Sequence, residues 1–303
     1  MAPPCTIGCL GEVMLELVLK EPPAAMLGVA GLGVAGDSYN TAVYLARAAP
    51  AHQVDYITVL GRDGFSDRIR AHMRRYGVGS GRLMVHPNRI PGLYAIETDS
   101  SGERHFTYWR GVSAARCLGN AELPALDGLL DGLTHLFYSG ISLAILPQEN
   151  RARLFAAIAG FRARGGLVAF DGNYRPYLWE NLQTAREVTA QAWQSCDIAL
   201  PSLADETALF GDSGTRAVLD RIAGYGLTDG ALKRGARGPI ALDGTAPDLP
   251  QASIRVVDTT AAGDSFNAAF LAARIQGQSA MAAMRAGHAL ACEVIQHRGA
   301  IIF

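Results

Sequence analysis

Asp258-Thr259-Thr260-Ala261-Ala262-Gly263-Asp264-Ser265-Phe266-Asn267 joins a predicted strand, Ala252 to Val257, to a predicted helix. The helix is indicated by the apolar residues from Phe266 to Ala273, which recur at the spacing of one helix face. A turn of small residues at such a join leaves backbone N–H groups free, and the helix dipole adds about half a positive charge there. The stretch therefore predicts an anion site. The carboxylate of Asp264 beside it is suited to act as a base for a hydroxyl that attacks a bound phosphate.

These ten residues resemble the C-terminal signature of the ribokinase-like (PfkB) sugar kinases. An ordinary helix N-terminus with an acidic first turn is the alternative, and it would account for a Gly-Asp-Ser alone. The resemblance implies that Asp264 is the catalytic base. It also implies that the amides of Ala261, Ala262 and Gly263 form an anion hole for the transferring phosphoryl group. The usual family motif has Gly in place of Ala261, and only Gly adopts positive φ freely, so an unusual backbone angle is less expected here.

The composition is that of a globular protein with a sizeable core: 303 residues, 49% hydrophobic and 18% charged. A formal net charge of −1 indicates neither a nucleic-acid partner nor a membrane partner. Five cysteines without a C-x-x-C pair predict reduced thiols rather than a disulfide framework or a zinc site. No signal peptide or membrane-spanning run is recognised. We therefore expect a cytoplasmic protein.

Strands and helices alternate along most of the chain, which predicts an α/β fold with a mostly parallel sheet flanked by helices. Cys5 to Leu10 is predicted as the first buried strand, and Val54 to Leu60 as the second. The length allows one large domain or two small ones. The resemblance implies a single ribokinase-like domain over residues 1–303.

A β-rich meander interrupts this alternation. Runs 92–98 and 104–110 are predicted as strands, joined by turn residues at 99–102. The resemblance implies that this meander belongs to a small β-sheet lid, built from insertions at about 13–34 and 90–111.

A G-x-G-x-x-G pattern at Gly31, Gly33 and Gly36 is typical of dinucleotide-binding oxidoreductases. It lies about twenty residues beyond the first strand, whereas the dinucleotide fingerprint follows its strand directly. The acid expected at the end of the next strand is also misplaced, because Asp55 lies at the start of that strand, just before the run Tyr56 to Leu60. The kinase interpretation is favoured, and a nicotinamide-dependent enzyme is the alternative of a different class.

The run Ala35 to Ala42 echoes the opening stretch, and both begin amphipathic helices. The family has a sugar-gripping loop at this position, which implies sugar contacts from Gly36, Asp37 and Asn40. Acceptor and amide groups suit sugar hydroxyls, and plain helix capping is the alternative. The resemblance further implies that Glu12, at the carboxyl end of the first strand, helps hold sugar hydroxyls, with a solvated loop acid as the alternative.

Further stretches resemble one branch of the family, the 2-keto-3-deoxygluconate kinases. They are Pro91 to Tyr94, Glu97 to Ser100, Gly102 to Arg104, Tyr108 to Arg110, Ser139 to Leu146 and Asp171 to Pro176. The resemblance implies that a keto-acid is held by Tyr94, Tyr108, Arg110 and Arg175, and Arg suits a carboxylate bidentately. On composition alone, a solvated strand face with two half-buried tyrosines would be the simpler interpretation.

No Gly-Lys pair occurs, so a Walker A motif is excluded and any ATP site must be of another design. The resemblance implies that the nucleotide is bound by Asn173, Ser202, Lys233, Gly235 and Gly238. Where the family has Asn-x-x-Glu, this chain has Ser-x-x-Asp, which implies that Asp205 organises Mg²⁺, and an acidic pair at a helix start, Asp205 with Glu206, is the alternative. Mg²⁺ keeps several waters and needs only one or two protein carboxylates. A monovalent cation near Asp258 is a further expectation.

Together these patterns predict an ATP-dependent kinase that phosphorylates the terminal hydroxyl of 2-keto-3-deoxygluconate, a step in Entner–Doudoroff or uronate catabolism. The alternatives are a fructokinase or ribokinase of the same family, a nicotinamide-dependent oxidoreductase and a non-catalytic sugar-binding protein. The expected partners are the sugar acid and ATP. We also expect a homo-oligomer, because an edge of the lid sheet could pair with a second copy.

Overall fold

The computed structural model of the protein describes residues 4–19, 29–98, 104–249 and 254–302. The strands in these ranges are β1 (Thr6–Leu10), β2 (Met14–Leu19), β3 (Ala30–Ala35), β4 (Gln53–Ile57), β5 (Val59–Leu60), β6 (Met84–Val85), β7 (Leu93–Thr98), β8 (Arg104–Trp109), β9 (His135–Ser139), β10 (Leu167–Asp171), β11 (Ile198–Ala199), β12 (Asp229–Leu232) and β13 (Ile240–Ala241). The α-helices are α1 (Asp37–Ala48), α2 (Gly64–Arg75), α3 (Leu126–Leu130), α4 (Gly140–Ala144), α5 (Gln148–Ala163), α6 (Leu182–Gln194), α7 (Leu203–Phe210), α8 (Thr215–Gly224), α9 (Ala262–Ile275) and α10 (Ala280–Val294).

Seven strands form the main sheet, in the order β13-β12-β11-β10-β9-β1-β4. Neighbours run parallel except at the edge pair of β12 and β13. The central strands β1, β9 and β10 are buried on both faces, as expected where helices cover both sides of a parallel sheet. The predicted mostly parallel sheet flanked by helices is therefore confirmed. The predicted strand Val54 to Leu60 is interrupted at Thr58, because β4 stays in this sheet while β5 pairs with β6.

Four strands form a smaller sheet, in the order β3-β2-β7-β8. The two stretches predicted as insertions supply these strands, two from each. Gly31 and Gly33 lie inside β3 and pair with β2, so they do not form the strand-to-helix turn of a dinucleotide fingerprint. The predicted turn at 99–102, and residues 20–28 of the first insertion, lie outside the described residues.

Helix α1 packs on the main sheet and against α9, so that the N-termini of the two helices meet. The Tyr44 hydroxyl on α1 donates to the Ala300 carbonyl at 2.9 Å and accepts from the Ile302 N–H at 3.0 Å. These bonds fasten the last described residues across the first helix. Within the described ranges, no helix combines the length and the apolar character needed to cross a bilayer.

The strand predicted at Ala252 to Val257 is wrong where the structure describes it; its first two residues lie outside the described residues. Val256 and Val257 are 58% and 44% exposed. The N–H groups of Val257 and Asp258 donate to the Ile295 carbonyl at the end of α10 rather than to a neighbouring strand. The β-branched composition favours a strand, but this segment instead runs alongside the last helix.

Candidate active site

A cleft of about 820 Å³ lies between the carboxyl ends of the main-sheet strands and the smaller sheet. Ligands of open α/β sheets bind at this edge. The cleft brings together most of the predicted site residues, whereas Gly238 and Glu12 do not line it. Those that line it are Gly36, Asp37, Asn40, Tyr94, Tyr108, Arg110, Asn173, Arg175, Ser202, Asp205, Lys233, Gly235, Ala261, Ala262, Gly263 and Asp264.

A second cleft of about 1180 Å³ adjoins the first, and Gly238 lies there. Its walls include apolar side chains from the segment before α9 and from the last two helices, namely Ile254, Val256, Phe266, Ala291 and Ile295. Residues common to both clefts form a passage between them: Lys233, Gly235, Thr259, Ala262 and Gly263. A chemical group held in this passage would be reachable from either side.

Asp264 lies in the first turn of α9 and lines the first cleft. Its Oδ2 accepts from the Asn40 side-chain amide at 2.8 Å, and its backbone carbonyl accepts from Thr41 Oγ1 at 3.2 Å. Burial raises the pKa of Asp264 from 3.8 to about 8; the nearby Asp37 carboxylate adds to this effect, and the Asn40 hydrogen bond opposes it. A carboxylate with a pKa this close to neutral pH is well matched to general-base catalysis.

Ala261 precedes α9 with a left-handed backbone, at φ 60° and ψ 14°. A β-carbon makes this region unfavourable by about 1–2 kcal/mol. Ala261 therefore has a positive φ, although Ala at this position made that backbone angle less expected than Gly would have done. Backbone strain of this kind is common at functional sites. The Ala262 N–H donates to the Thr259 carbonyl at 3.2 Å, so this predicted anion-hole amide already has an acceptor within the chain.

Asp37, in the first turn of α1, joins this helix to two loops that border the first cleft. Asp37 Oδ2 accepts from the Ser139 hydroxyl and, at 2.9 Å, from the Asn173 side-chain amide. The preceding Gly36 has no room for a side chain, because a Cβ would lie 2.3 Å from the Glu12 carbonyl oxygen. Asp37 and Asn173, both predicted as ligand contacts, thus also hold their two loops together.

Tyrosines of the smaller sheet form the roof of the first cleft. The rings of Tyr94 and Tyr108 have centroids 5.7 Å apart, and the Tyr94 hydroxyl donates to the buried Glu16. The Tyr108 ring also lies 5.9 Å from that of Tyr177, which belongs to the loop after β10. Tyr177 was not predicted as a site residue, although it lies only two residues after Arg175. The Tyr108–Tyr177 contact bridges the smaller sheet and the main-sheet side of the cleft.

Arg110 follows β8 and lines the cleft although it is only 7% exposed. It forms an ion pair with Glu12, and its Nε is buried without a hydrogen-bond acceptor among the described residues. Glu12 is 1% exposed and is not part of the cleft lining. The predicted contact between Glu12 and sugar hydroxyls therefore differs from the structure, in which this carboxylate faces Arg110 and Ser113.

Lys233 lies at the passage between the two clefts. Its Nζ donates to Asp171 Oδ2 at 2.8 Å and to Asn267 Oδ1 at 3.0 Å, and Asn267 Nδ2 donates to the same Asp171 oxygen at 2.6 Å. A Cβ on Gly263 would lie 3.9 Å from this ammonium, which therefore faces the start of α9. The sequence analysis did not assign roles to Asp171 or Asn267, although the first ends a buried strand and the second follows Asp264 by one helical turn.

Asp205, the carboxylate predicted to organise Mg²⁺, lies in α7 beside the cleft. It pairs with Arg175 at 3.4 Å. Burial raises the pKa of Asp205, and Arg175 partly offsets the effect. In the part of the chain that the structure describes, no group of three or more His, Cys, Asp or Glu residues forms a metal site. Asp205 offers a carboxylate at the cleft, and one or two protein carboxylates suffice for a Mg²⁺ ion that retains most of its waters.

The sequence model of the pfkB family of carbohydrate kinases matches residues 6–303. The chain belongs to this family of sugar kinases. It is 41% identical to the 2-dehydro-3-deoxygluconokinase of Dickeya dadantii over 306 residues, which cover 98% of this chain and 96% of the relative. It is 28% identical to a fructokinase of Klebsiella pneumoniae over 271 residues, which cover 88% and 83% of the two chains.

The fold is also that of solved ribokinase-like proteins. An E. coli protein described as a ribokinase II, in complex with ATP and Mg²⁺, matches this structure with a TM-score of 0.81. The match covers 98% of this chain and 94% of the other at 21% sequence identity. The ribokinase-like architecture expected from the sequence is therefore confirmed.

Proposed function

We propose that the chain is an ATP-dependent kinase of 2-dehydro-3-deoxygluconate, the keto-acid also called 2-keto-3-deoxygluconate. Its products are 2-keto-3-deoxy-6-phosphogluconate and ADP. Similarity to a 2-dehydro-3-deoxygluconokinase over nearly the full length of both chains supports this assignment. The structural observation that carries it is the buried Nε of Arg110, which has no acceptor among the described residues. Such a donor is unfavourable by about 1–3 kcal/mol, and a substrate carboxylate would satisfy it.

In the proposed mechanism Asp264 is the general base. The sugar hydroxyl oxygen attacks the γ-phosphorus of ATP and its proton passes to the Asp264 carboxylate, while the bond to the oxygen bridging the β- and γ-phosphates breaks. The amides of Ala261, Ala262 and Gly263 stabilise the charge on the transferred group, and the Ala262 N–H exchanges its Thr259 acceptor for a phosphoryl oxygen. Lys233 supplies a fixed positive charge at the same passage.

The first cleft holds the sugar in this proposal. Its hydroxyls are bound at the start of α1, by Gly36, Asp37 and Asn40. The keto-acid end is held by Tyr94, Tyr108, Arg110 and Arg175. Two arginines and two tyrosines suit an acidic sugar better than a neutral one, because a carboxylate accepts from guanidinium and hydroxyl donors.

ATP binds in the second cleft in this proposal, with its phosphates at the passage. Apolar walls suit an adenine ring. The further nucleotide contacts proposed are Asn173, Ser202, Lys233, Gly235 and Gly238. Asp205 would hold Mg²⁺ through its water shell, and the ion would neutralise phosphate charge.

The finer predictions concern assembly and ions. We propose that the chain is one domain in which the smaller sheet acts as a lid and excludes water, a competing phosphoryl acceptor. The edge strands β3 and β8 could pair with a second copy to form a homo-oligomer. A monovalent cation near Asp258 and a cytoplasmic location remain predictions.

Coupled ADP release tests the assignment with purified protein, ATP and Mg²⁺, against 2-dehydro-3-deoxygluconate, its galactonate epimer, fructose and ribose. We expect turnover on the keto-acids, with kcat/KM on neutral sugars lower by about 100-fold or more. Turnover on fructose alone would favour the fructokinase alternative, for which the relative at 28% identity gives weaker support. The absence of turnover on all four sugars would overturn the proposal.

A further inference from the structure

Glu12 and Arg110 meet at the junction of the two sheets. Glu12 lies between β1 of the main sheet and β2, the first strand of the smaller sheet. Arg110 follows β8, the last strand of the smaller sheet. Glu12 therefore lies where the chain first leaves the main sheet, and Arg110 where it returns from the smaller sheet for the last time. Their ion pair connects these two crossing points.

The Glu12 carboxylate is engaged by its neighbours within the chain. Its Oε1 accepts from Ser113 Oγ at 2.5 Å, and its Oε2 pairs with Arg110 Nη2. Gly92 makes this arrangement possible, because a Cβ there would lie 2.9 Å from Glu12 Oε1 and 3.2 Å from Arg110 Cβ. The two side chains are 1% and 8% exposed. A charge buried to this extent needs its partner, so each member constrains the position of the other.

We propose that Glu12 is a positioning residue for the keto-acid site, acting through Arg110 and not touching the substrate. The inference rests on the proposed function. An unpaired arginine at a cleft would lose rotamer freedom when a ligand fixed it, and the ion pair removes that freedom before the ligand arrives. The guanidinium still offers its buried Nε–H, which has no acceptor in the described part of the chain. Glu12 thus holds the guanidinium in place beside the cleft that Arg110 lines.

Glu12→Gln keeps the size of the side chain and removes its charge. We expect kcat/KM for the keto-acid to fall by about 10- to 100-fold, mainly through a higher KM, because Arg110 loses its fixed position. The KM for ATP should stay unchanged, and Glu12→Asp should restore part of the loss. An unchanged KM for the keto-acid in Glu12→Gln would overturn the inference.

A double-mutant cycle separates a positioning role from direct contact with the sugar. If Glu12 acts through Arg110, adding Glu12→Gln to Arg110→Met should cause no further loss of kcat/KM beyond about twofold. Losses that multiply in the double variant would show that Glu12 acts independently of Arg110, and would overturn the inference. Failure of the parent protein to turn over any keto-acid would overturn the proposed function as well.

Thermal unfolding of the same variants controls for folding. Arg110→Met leaves the Glu12 charge buried and unpaired, so the double variant should have a higher Tm than Arg110→Met alone. If Glu12→Gln does not fold, the cycle is run with Glu12→Asp and Arg110→Lys, which retain both charges and change only their geometry. If the two losses of kcat/KM multiply in that double variant as well, the inference is overturned.

Discussion

Replacing Asp264 by Asn should stabilise the folded protein while removing its turnover. The substitution keeps the shape of the side chain, and its carbonyl oxygen can still accept from Asn40. It removes the charge that burial and the neighbouring Asp37 make unfavourable. An amide cannot take a proton from the sugar hydroxyl, so we expect kcat to fall by about 10²- to 10⁴-fold.

The size of the stability effect follows from the pKa of Asp264, which folding raises from 3.8 to about 8. The folded state therefore binds this proton more tightly than the unfolded chain does. The resulting stabilisation is complete below about pH 4, and it is lost as the pH rises to about 8. At about 1.4 kcal/mol per tenfold change in proton affinity, the loss has an upper limit of about 6 kcal/mol. Because the cleft admits solvent, we expect about 2 kcal/mol, or about 4 °C in Tm.

Denaturant and thermal unfolding of both proteins, without ligands, between about pH 4 and about pH 9 measure this effect. The stability gap between Asp264→Asn and the parent should be near zero at the acidic end and should widen towards the alkaline end. Asp248→Asn, which makes the same change at an exposed carboxylate, is the matched control. A gap independent of pH would refute the raised pKa, and full turnover in Asp264→Asn would refute the role of the base.

Further predictions concern the same helix start and the lysine beside it. Ala261→Gly should raise the free energy of unfolding by about 0.5–1 kcal/mol in denaturant melts, because Gly relieves the left-handed φ of 60°; a loss of stability would contradict this. Lys233→Met should lower Tm, because it leaves the buried Asp171 unpaired, and should reduce kcat about 100-fold. When Asp171→Asn is added to Lys233→Met, the Tm should largely recover but kcat should stay low. Recovery of both Tm and kcat would exclude a direct role for Lys233 in turnover. The kcat/KM for the keto-acid should rise with pH up to about 8, as Asp264 loses its proton, and a flat profile would contradict its assignment as the base.

The order of strands and helices could be predicted because each element carries its own periodicity and boundaries. Buried strands such as β1 and β10 are short apolar runs, and α9 shows its apolar face directly in the sequence. The segment at 252–257 could not be predicted in this way. Its β-branched residues favour a strand, but a strand also needs a neighbour, and Val257 bonds to the end of α10 instead.

Most residues that line the candidate cleft could be predicted from motifs, whereas the partners of their charges could not. Glu12 looked like a sugar contact because it follows the first strand, but Arg110 returns from the smaller sheet to cover it. The hydrogen bond from Lys233 to Asn267 could not be predicted either, because it depends on how β12 and α9 are placed relative to each other. A motif shows which side chains reach a site, but only the folded chain shows which of them neutralise one another.

The hydrogen bond between Asn40 and Asp264 joins residues 224 positions apart. A chain grows and starts to fold from its N-terminus, so α1 can exist long before α9 has been synthesised. Until then the start of α1, which we propose binds the sugar, lacks the Asp264 carboxylate that is proposed to activate the hydroxyl. The bond from Tyr44 to Ala300 closes over α1 later still. In the proposed mechanism, phosphoryl transfer is therefore withheld from the nascent chain until the two helix starts have come together.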